Sequence, residues 1–270
     1  MQGRGCWHSG IIAIFASALA VTWAADASAG GGMAAATRDA GLAARDEEVV
    51  RAAHDALNSG GYEALGPHLA DVKAVLDRAP TTYPQMELKG DVLLVRSADA
   101  DEVNAAADAL LASHPQARSV KWAFNVYPIA SLLLGAYANE ARQPQAALSV
   151  LDKGVALQPD DTDLIREKGV ALFGLKRWEE ALGLYERWLA MDDPMHAAFD
   201  RALLLRAKGF ALIELERLDD AEAAYRASLQ IEPDHGGAKY ELAYIAKLRA
   251  GAERQQTGIF TYDKAKARAP

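Results

Sequence analysis

The chain is poor in chemistry that would announce itself. It has a single cysteine, Cys6, near its start, so no disulfide framework and no paired-thiol metal or redox motif can be built. It has no run of lysines and arginines, and its net charge is −8, which argues against nonspecific binding to nucleic acid. No nucleophile elbow, no His-Glu-x-x-His and no phosphate-binding glycine loop is present. The six histidines (His8, His54, His68, His114, His196, His235) stand without metal-ligand spacing. Asp160-Asp-Thr-Asp163 lacks the glycine and distal glutamate of a helix-loop-helix calcium site and reads as a helix N-cap, as Asp219-Asp220 reads as negative charge at a helix start. The expectation is therefore no catalytic residue, no metal and no cofactor.

Long apolar runs are also scarce. Ile11 to Val21 is the main one, and it is short for a membrane span. Arg4 precedes it, and Ala25-Asp-Ala27 and Ala27-Ser-Ala29 follow with the small residues a signal peptidase requires. Residues 1–29 are expected to be a signal peptide cleaved near Ala27 or Ala29, giving a periplasmic or secreted protein. An uncleaved inner-membrane anchor is the alternative, and the only route to membrane contact. Cys6 precedes the apolar run, so it is no lipid acceptor downstream of it. A short flexible tail over 30–37 would follow.

What the chain does have is alanine, which favours closely packed helices, and an internal period. Gly135 and Gly169 are 34 residues apart, as are Ala147 and Ala181, Leu151 and Tyr185, Pro159 and Asp193. The next set, Gly209, Ala221, Tyr225 and Pro233, follows at 40, so six residues are added around Pro194-Met-His-Ala-Ala-Phe199. Two antiparallel helices approach closely only where small side chains meet. The glycines on each first helix are expected to meet Ala147, Ala181 and Ala221 on each second helix, with the large residue four positions on filling the next layer. Pro159 and Pro233 end second helices, and Pro144 suits a first turn.

This pattern resembles the tetratricopeptide repeat family, most closely over Lys168 to Tyr185 and Ala207 to Pro233, and suggests an exported bacterial member. The resemblance implies a mainly α fold: a right-handed helix-turn-helix solenoid over 121–250. Its units would be 128–161, 162–195 and 202–235, with a closing helix at 236–250 and a C-terminal tail over 251–270. The family's early tryptophan position holds Ser131, Ile165 and Leu205, and unit one has Leu151 in place of the aromatic.

Residues 38–120 are expected to form an α+β or helical N-terminal cap. Apolar residues recur at helical intervals over 45–58 and 62–79, broken by Ser59-Gly-Gly61, and Tyr62-Glu-Ala-Leu65 echoes Trp178-Glu-Glu-Ala-Leu182. Met86 to Arg96 reads as a hairpin turning at Gly90-Asp91, within a β region near 81–96. Asp99 and Glu102 then start a helix running to about Ser113.

In the resembled family the first helix of each unit lines a concave groove. Carried over position by position, the groove would hold Arg166, Val170, Phe173, Arg206, Phe210, Ile213, Tyr240, Tyr244 and Lys247. Two arginines beside an apolar wall suit a peptide with apolar anchors and an acidic group or carboxyl terminus. The competing reading is that the aromatics pack between repeats and the arginines are a solvated face. The function expected is a non-enzymatic adaptor or assembly factor of the bacterial envelope that binds a protein or peptide, and no nucleic acid. The alternatives are an N-terminal ligand-binding or enzymatic domain tethered by the repeats, and a membrane-anchored scaffold.

Overall fold

The computed structural model describes residues 32–191 and 198–253. The segment expected to be a signal peptide, the core of the six-residue insertion and the expected C-terminal tail beyond residue 253 lie outside the described residues. The chain divides between Lys168 and Gly169 into two compact units.

The first unit opens with α1 (Gly32–Leu65), so the tail expected over 30–37 overlaps its first turns. Helix α1 breaks at Gly61, where φ is +67° and ψ −161°, a backbone that side-chain-bearing residues rarely adopt. A single 3₁₀ turn, Gly66 to His68, leads into α2 (Leu69–Asp77). Strands β1 (Met86–Lys89) and β2 (Val92–Ser97) pair antiparallel across Gly90 and Asp91, with Gly90 at φ +65°. Glycine at the first of two turn residues fits a II′ hairpin, whose twist matches that of the strands. Helix α3 (Ala100–Ser113) follows, capped by Asp99, whose carboxylate accepts the N–H of Asp101 at 2.8 Å.

A third strand, β3 (Ser119–Phe124), then pairs parallel to β2, with Leu93 beside Val120 and Val95 beside Trp122. The sequence reading passed over this strand. A parallel neighbour requires a crossover, and α3 is that crossover. It buries Val103 and Leu110 against Leu93 and Val95, with Val120 and Trp122 packed at the margin. The cap is thus a helical pair followed by a β-hairpin extended into a βαβ lobe.

Helix α4 (Val126–Glu140) carries the helical half of this unit. Val50 and Ala53 of α1, Val72, Val75 and Leu76 of α2, and Ile129, Ala130 and Leu133 of α4 share one core with Phe124. Asp46 on α1 is 1% exposed and is held by Arg78, whose Nε lies 3.0 Å from both carboxylate oxygens. A second buried clasp joins Asn125 to Gln158. Asn125 Nδ2 donates to Gln158 Oε1 at 2.7 Å, and Gln158 Nε2 donates to Asn125 Oδ1 at 3.0 Å. Helix α5 (Pro144–Leu157) returns along α4 with Pro144 in its first turn.

The second unit contains the last turns of α6 (Thr162–Gly174), then α7 (Trp178–Leu189), α8 (Ala198–Glu214), α9 (Leu218–Ile231) and α10 (Gly236–Arg249). Leu182, Ala211, Leu212, Ala221, Tyr225, Ala238 and Ile245 form its core.

The repeat is written most sharply in two contacts. At the turn between the two helices of each repeat a non-glycine residue has positive φ: Arg142 (57°), Lys176 (56°) and Glu216 (62°). The next N–H reaches back five residues: Gln143 to Ala138 at 2.8 Å, Arg177 to Leu172 at 2.9 Å and Arg217 to Leu212 at 2.9 Å. That is a Schellman closure, which satisfies carbonyls left over at a helix end. Helix α10 ends the same way, with Gly251 at φ 83° and Ala252 N–H on Lys247 O at 3.0 Å.

The second contact corrects the expected layering. Ala147, Ala181 and Ala221 are fully buried, but the atoms crowding each glycine belong to the large residue four positions later. A Cβ on Gly135 would overlap Leu151, one on Gly169 would overlap Tyr185, and one on Gly209 would come within 2.6 Å of Tyr225 Cε2. The large side chain, rather than the alanine, occupies the space that the glycine leaves.

Candidate binding face

The nine residues proposed for the groove sit on α6, α8 and α10, spaced four then three along each helix, so each trio shares one side of its helix. The structure sorts them into three environments.

Arg166 lies in the first unit. Asp161 caps its helix by accepting the N–H of Leu164 at 3.0 Å. Burial, then Asp163, push the Asp161 carboxyl up to about 7. Arg166 Nη2 donates to Asp163 at 2.9 Å, and Nη1 lies 3.5 Å from Glu167. Burial opposes the guanidinium charge, but Glu167 and Asp163 outweigh it, and the pKa of Arg166 rises. Glu167 is in turn fixed by Asn139, whose Nδ2 donates to its Oε2 at 2.9 Å and to its backbone oxygen at 3.0 Å. Tyr62 stands near this carboxylate, and burial followed by Glu167 and Glu140 raises its hydroxyl to about 12. Arg166 is therefore half-buried and already matched by two carboxylates.

Arg206 belongs to the interior. It is 2% exposed, and its guanidinium is bonded to Glu232 at the end of α9. The expectation of an exposed arginine pair facing a partner's carboxylate does not survive this placement. A buried guanidinium needs a carboxylate close by, and Glu232 supplies it from within the fold. Ile213 and Tyr244 are also core residues, 2% and 7% exposed.

The remaining residues of the second unit do reach the surface. Val170 is 46% exposed, and Phe173 and Phe210 are half-buried beside each other with ring centroids 5.0 Å apart. Trp178, absent from the sequence-derived set, closes the cluster at 5.5 Å from Phe173 and 6.1 Å from Phe210. It opens α7, a second helix, whereas the groove positions carried over from the resembled family all lie on first helices. Tyr240 is 42% exposed, and Lys247 is exposed further along α10. Tyr240, Ala243, Tyr244 and Lys247 line a cavity of about 120 Å³ with Ala252 and Glu253.

Among the described residues, no group of three or more His, Cys, Asp or Glu side chains is arranged to hold a metal ion. No described helix is long and apolar enough to cross a membrane.

No protein-family model matches the sequence, and no curated protein matches it. Among the solved structures similar to it are TPR domains. The first TPR domain of the human RPAP3 protein is 21% identical with a TM-score of 0.42, over 46% of this chain and 93% of that one. The first TPR of Spaghetti (RPAP3), bound to the HSP90 peptide SRMEEVD, gives 21% and 0.41 over the same shares. MamA of AMB-1 is 16% identical with a TM-score of 0.45, over 78% of this chain and 84% of that one.

Proposed function

We propose that this chain is a non-enzymatic protein-interaction module of the bacterial cell envelope, acting as an adaptor or assembly factor that binds a peptide or partner domain on its first-helix face. One observation carries the reading: the half-buried cluster of Phe173, Trp178 and Phe210, edged by exposed Val170. Partly desolvated aromatic rings beside an exposed aliphatic are the composition of an interface centre, where a few large side chains supply most of the affinity. Because Arg166 and Arg206 already hold carboxylates of this chain, recognition there rests on apolar anchors rather than on an acidic terminus.

The envelope assignment is supported by the order of Arg4, the apolar run to Val21 and the small residues at Ala25, Ala27 and Ala29. Intact mass of the protein made in a bacterial host checks it: a mature start just after Ala27 or Ala29 is expected, and a full-length mass refutes cleavage.

Binding is tested by selecting peptides from a displayed random library on the full chain and on Val170→Glu. Val170 is exposed, so the substitution leaves the fold intact while placing a charge on the rim of the aromatic cluster. Enrichment of peptides with aromatic or branched aliphatic anchors on the wild type, lost on the variant, is expected. Equal enrichment on both, or none on either, overturns the assignment of this face.

A further inference from the structure

Helix α10 starts from a weak sequence. Gly236 and Gly237 fill its first two positions, and only proline favours helix less than glycine does. What holds the first turn is His235. Its backbone is extended (φ −67°, ψ 102°), and its Nδ1 accepts the N–H of Ala238 at 3.1 Å. Its carbonyl accepts the N–H of Lys239 at 3.3 Å. Gly237 lies against the ring, since a Cβ there would stand 3.1 Å from His235 Cε1. An imidazole nitrogen accepts a hydrogen bond only when it carries no proton, so this cap requires the neutral ring with its hydrogen on Nε2. Protonation would turn Nδ1 into a donor facing a donor and set a positive charge on the positive end of the helix dipole.

We propose that His235 is a pH-sensitive latch on α10, holding the helix's first turn when neutral and releasing it when protonated. The charged groups around the ring come from each neighbouring element. Arg206 reaches it from α8, Glu232 from the end of α9 and Asp234 from the intervening turn. Lys239 of α10 is bonded to Asp234 at 3.2 Å. Burial first, then Arg206, hold the imidazole below its ordinary 6.5, against the opposing pull of Glu232 and of a hydrogen bond to the backbone of His235 itself. The latched pKa thus lies below that of the open form. The latch is at full strength above pH 6.5 and weakens as pH falls through the latched value. Tyr240 stands one turn further along, so release would also loosen a residue of the proposed binding face, though the latch does not depend on that face being used.

The test is hydrogen exchange of the Ala238, Lys239 and Tyr240 amides in the full chain at pH 7.5 and 5.0, corrected for intrinsic exchange. Wild-type protection is expected to fall at pH 5.0, by up to about five-fold, the size of one lost side-chain N-cap. His235→Asn caps through an amide oxygen at either pH and should show no fall, and His235→Ala should be low at both. Glu232 and Asp234 remain in every variant, so a contribution from their titration appears in His235→Asn as well. A fall in His235→Asn equal to that of wild type overturns the latch, as does a ring nitrogen spectrum at pH 7.5 that places the hydrogen on Nδ1.

Discussion

Gly169 and Gly209 occupy equivalent places in the second unit, yet their neighbours differ by one atom, and that atom can be tested. A Cβ on Gly169 would meet the hydroxyl oxygen of Tyr185 first, with Cζ at 2.6 Å and Cε1 at 3.0 Å. A Cβ on Gly209 would meet the ring edge of Tyr225, with Cε2 at 2.6 Å and Cδ2 and Cζ at 2.9 Å. Each Gly→Ala change gains about 1 kcal/mol of helix propensity. Each also forces a fully packed aromatic to move, at about 1–3 kcal/mol. The expected net cost is between zero and about 2 kcal/mol at either site.

The two sites separate when the hydroxyl is removed. In a Tyr185→Phe background the atom nearest the new methyl is gone, so Gly169→Ala should be milder, with a coupling energy of about 1 kcal/mol. In a Tyr225→Phe background the obstructing ring edge is unchanged, and Gly209→Ala should cost what it costs alone, within about 0.3 kcal/mol. Urea denaturation of the wild type, the four single variants and the two double variants gives both cycles in one fold. Equal coupling at the two sites would refute the claim that ring contact fixes the approach of these helices.

Two further outcomes follow from the first unit. The Asp46–Arg78 pair should break asymmetrically, because the Asp46 side chain is 2% exposed and that of Arg78 is 37% exposed. Arg78→Ala strands a buried carboxylate and should cost about 3 kcal/mol, whereas Asp46→Ala leaves a guanidinium that reaches water and should cost about 1 kcal/mol, both read by denaturant titration. The Asp161 carboxyl, raised to about 7 in the folded chain, binds a proton more tightly there than in the unfolded chain, so it subtracts stability as pH rises from about 4 toward 7. Asp161→Asn keeps the cap on Leu164 without the charge. The variant should therefore melt higher than wild type at pH 8, by at most about 2 kcal/mol after discounting for partial exposure, and no higher at pH 4.

The helical repeat was legible because its landmarks are steric. A glycine that must face a ring, and a ring that must face a glycine, recur at fixed spacing whatever else varies, as Gly169 with Tyr185 and Gly209 with Tyr225. Strand β3 escaped notice although Val120, Trp122 and Phe124 alternate with Lys121 and Ala123 as a strand should. Those six residues run almost directly into α4, and an apolar stretch leading into a helix reads as helix until its partner β2 is known. The Schellman turns were invisible for a different reason. Arg142, Lys176 and Glu216 carry no signature of positive φ, since glycine or asparagine would be the usual occupant.

The same distinction governs the proposed binding face. Position along a first helix reveals which side a residue takes, and it placed Val170, Phe173, Phe210 and Tyr240 on a surface with exposed apolar area. It does not reveal whether a charge on that side is already neutralised. Glu232, which bonds Arg206, lies 26 residues away at the far end of α9, and its approach depends on how α8 and α9 fold back on each other. Arg166 is matched by Asp163 and Glu167 on its own helix, close enough in sequence to have been seen, but Glu167 is fixed by Asn139 from α4. Had both arginines been open to water, an acidic ligand would have been the natural partner. With both engaged, an incoming carboxylate would compete with Asp163, Glu167 or Glu232, and displacing Glu167 or Glu232, whose side chains are 12% and 26% exposed, strands a largely buried charge at a cost of several kcal/mol. An apolar side chain against Phe173 and Phe210 incurs no such cost, so affinity for this chain should track the hydrophobicity of a partner's anchors far more closely than its charge.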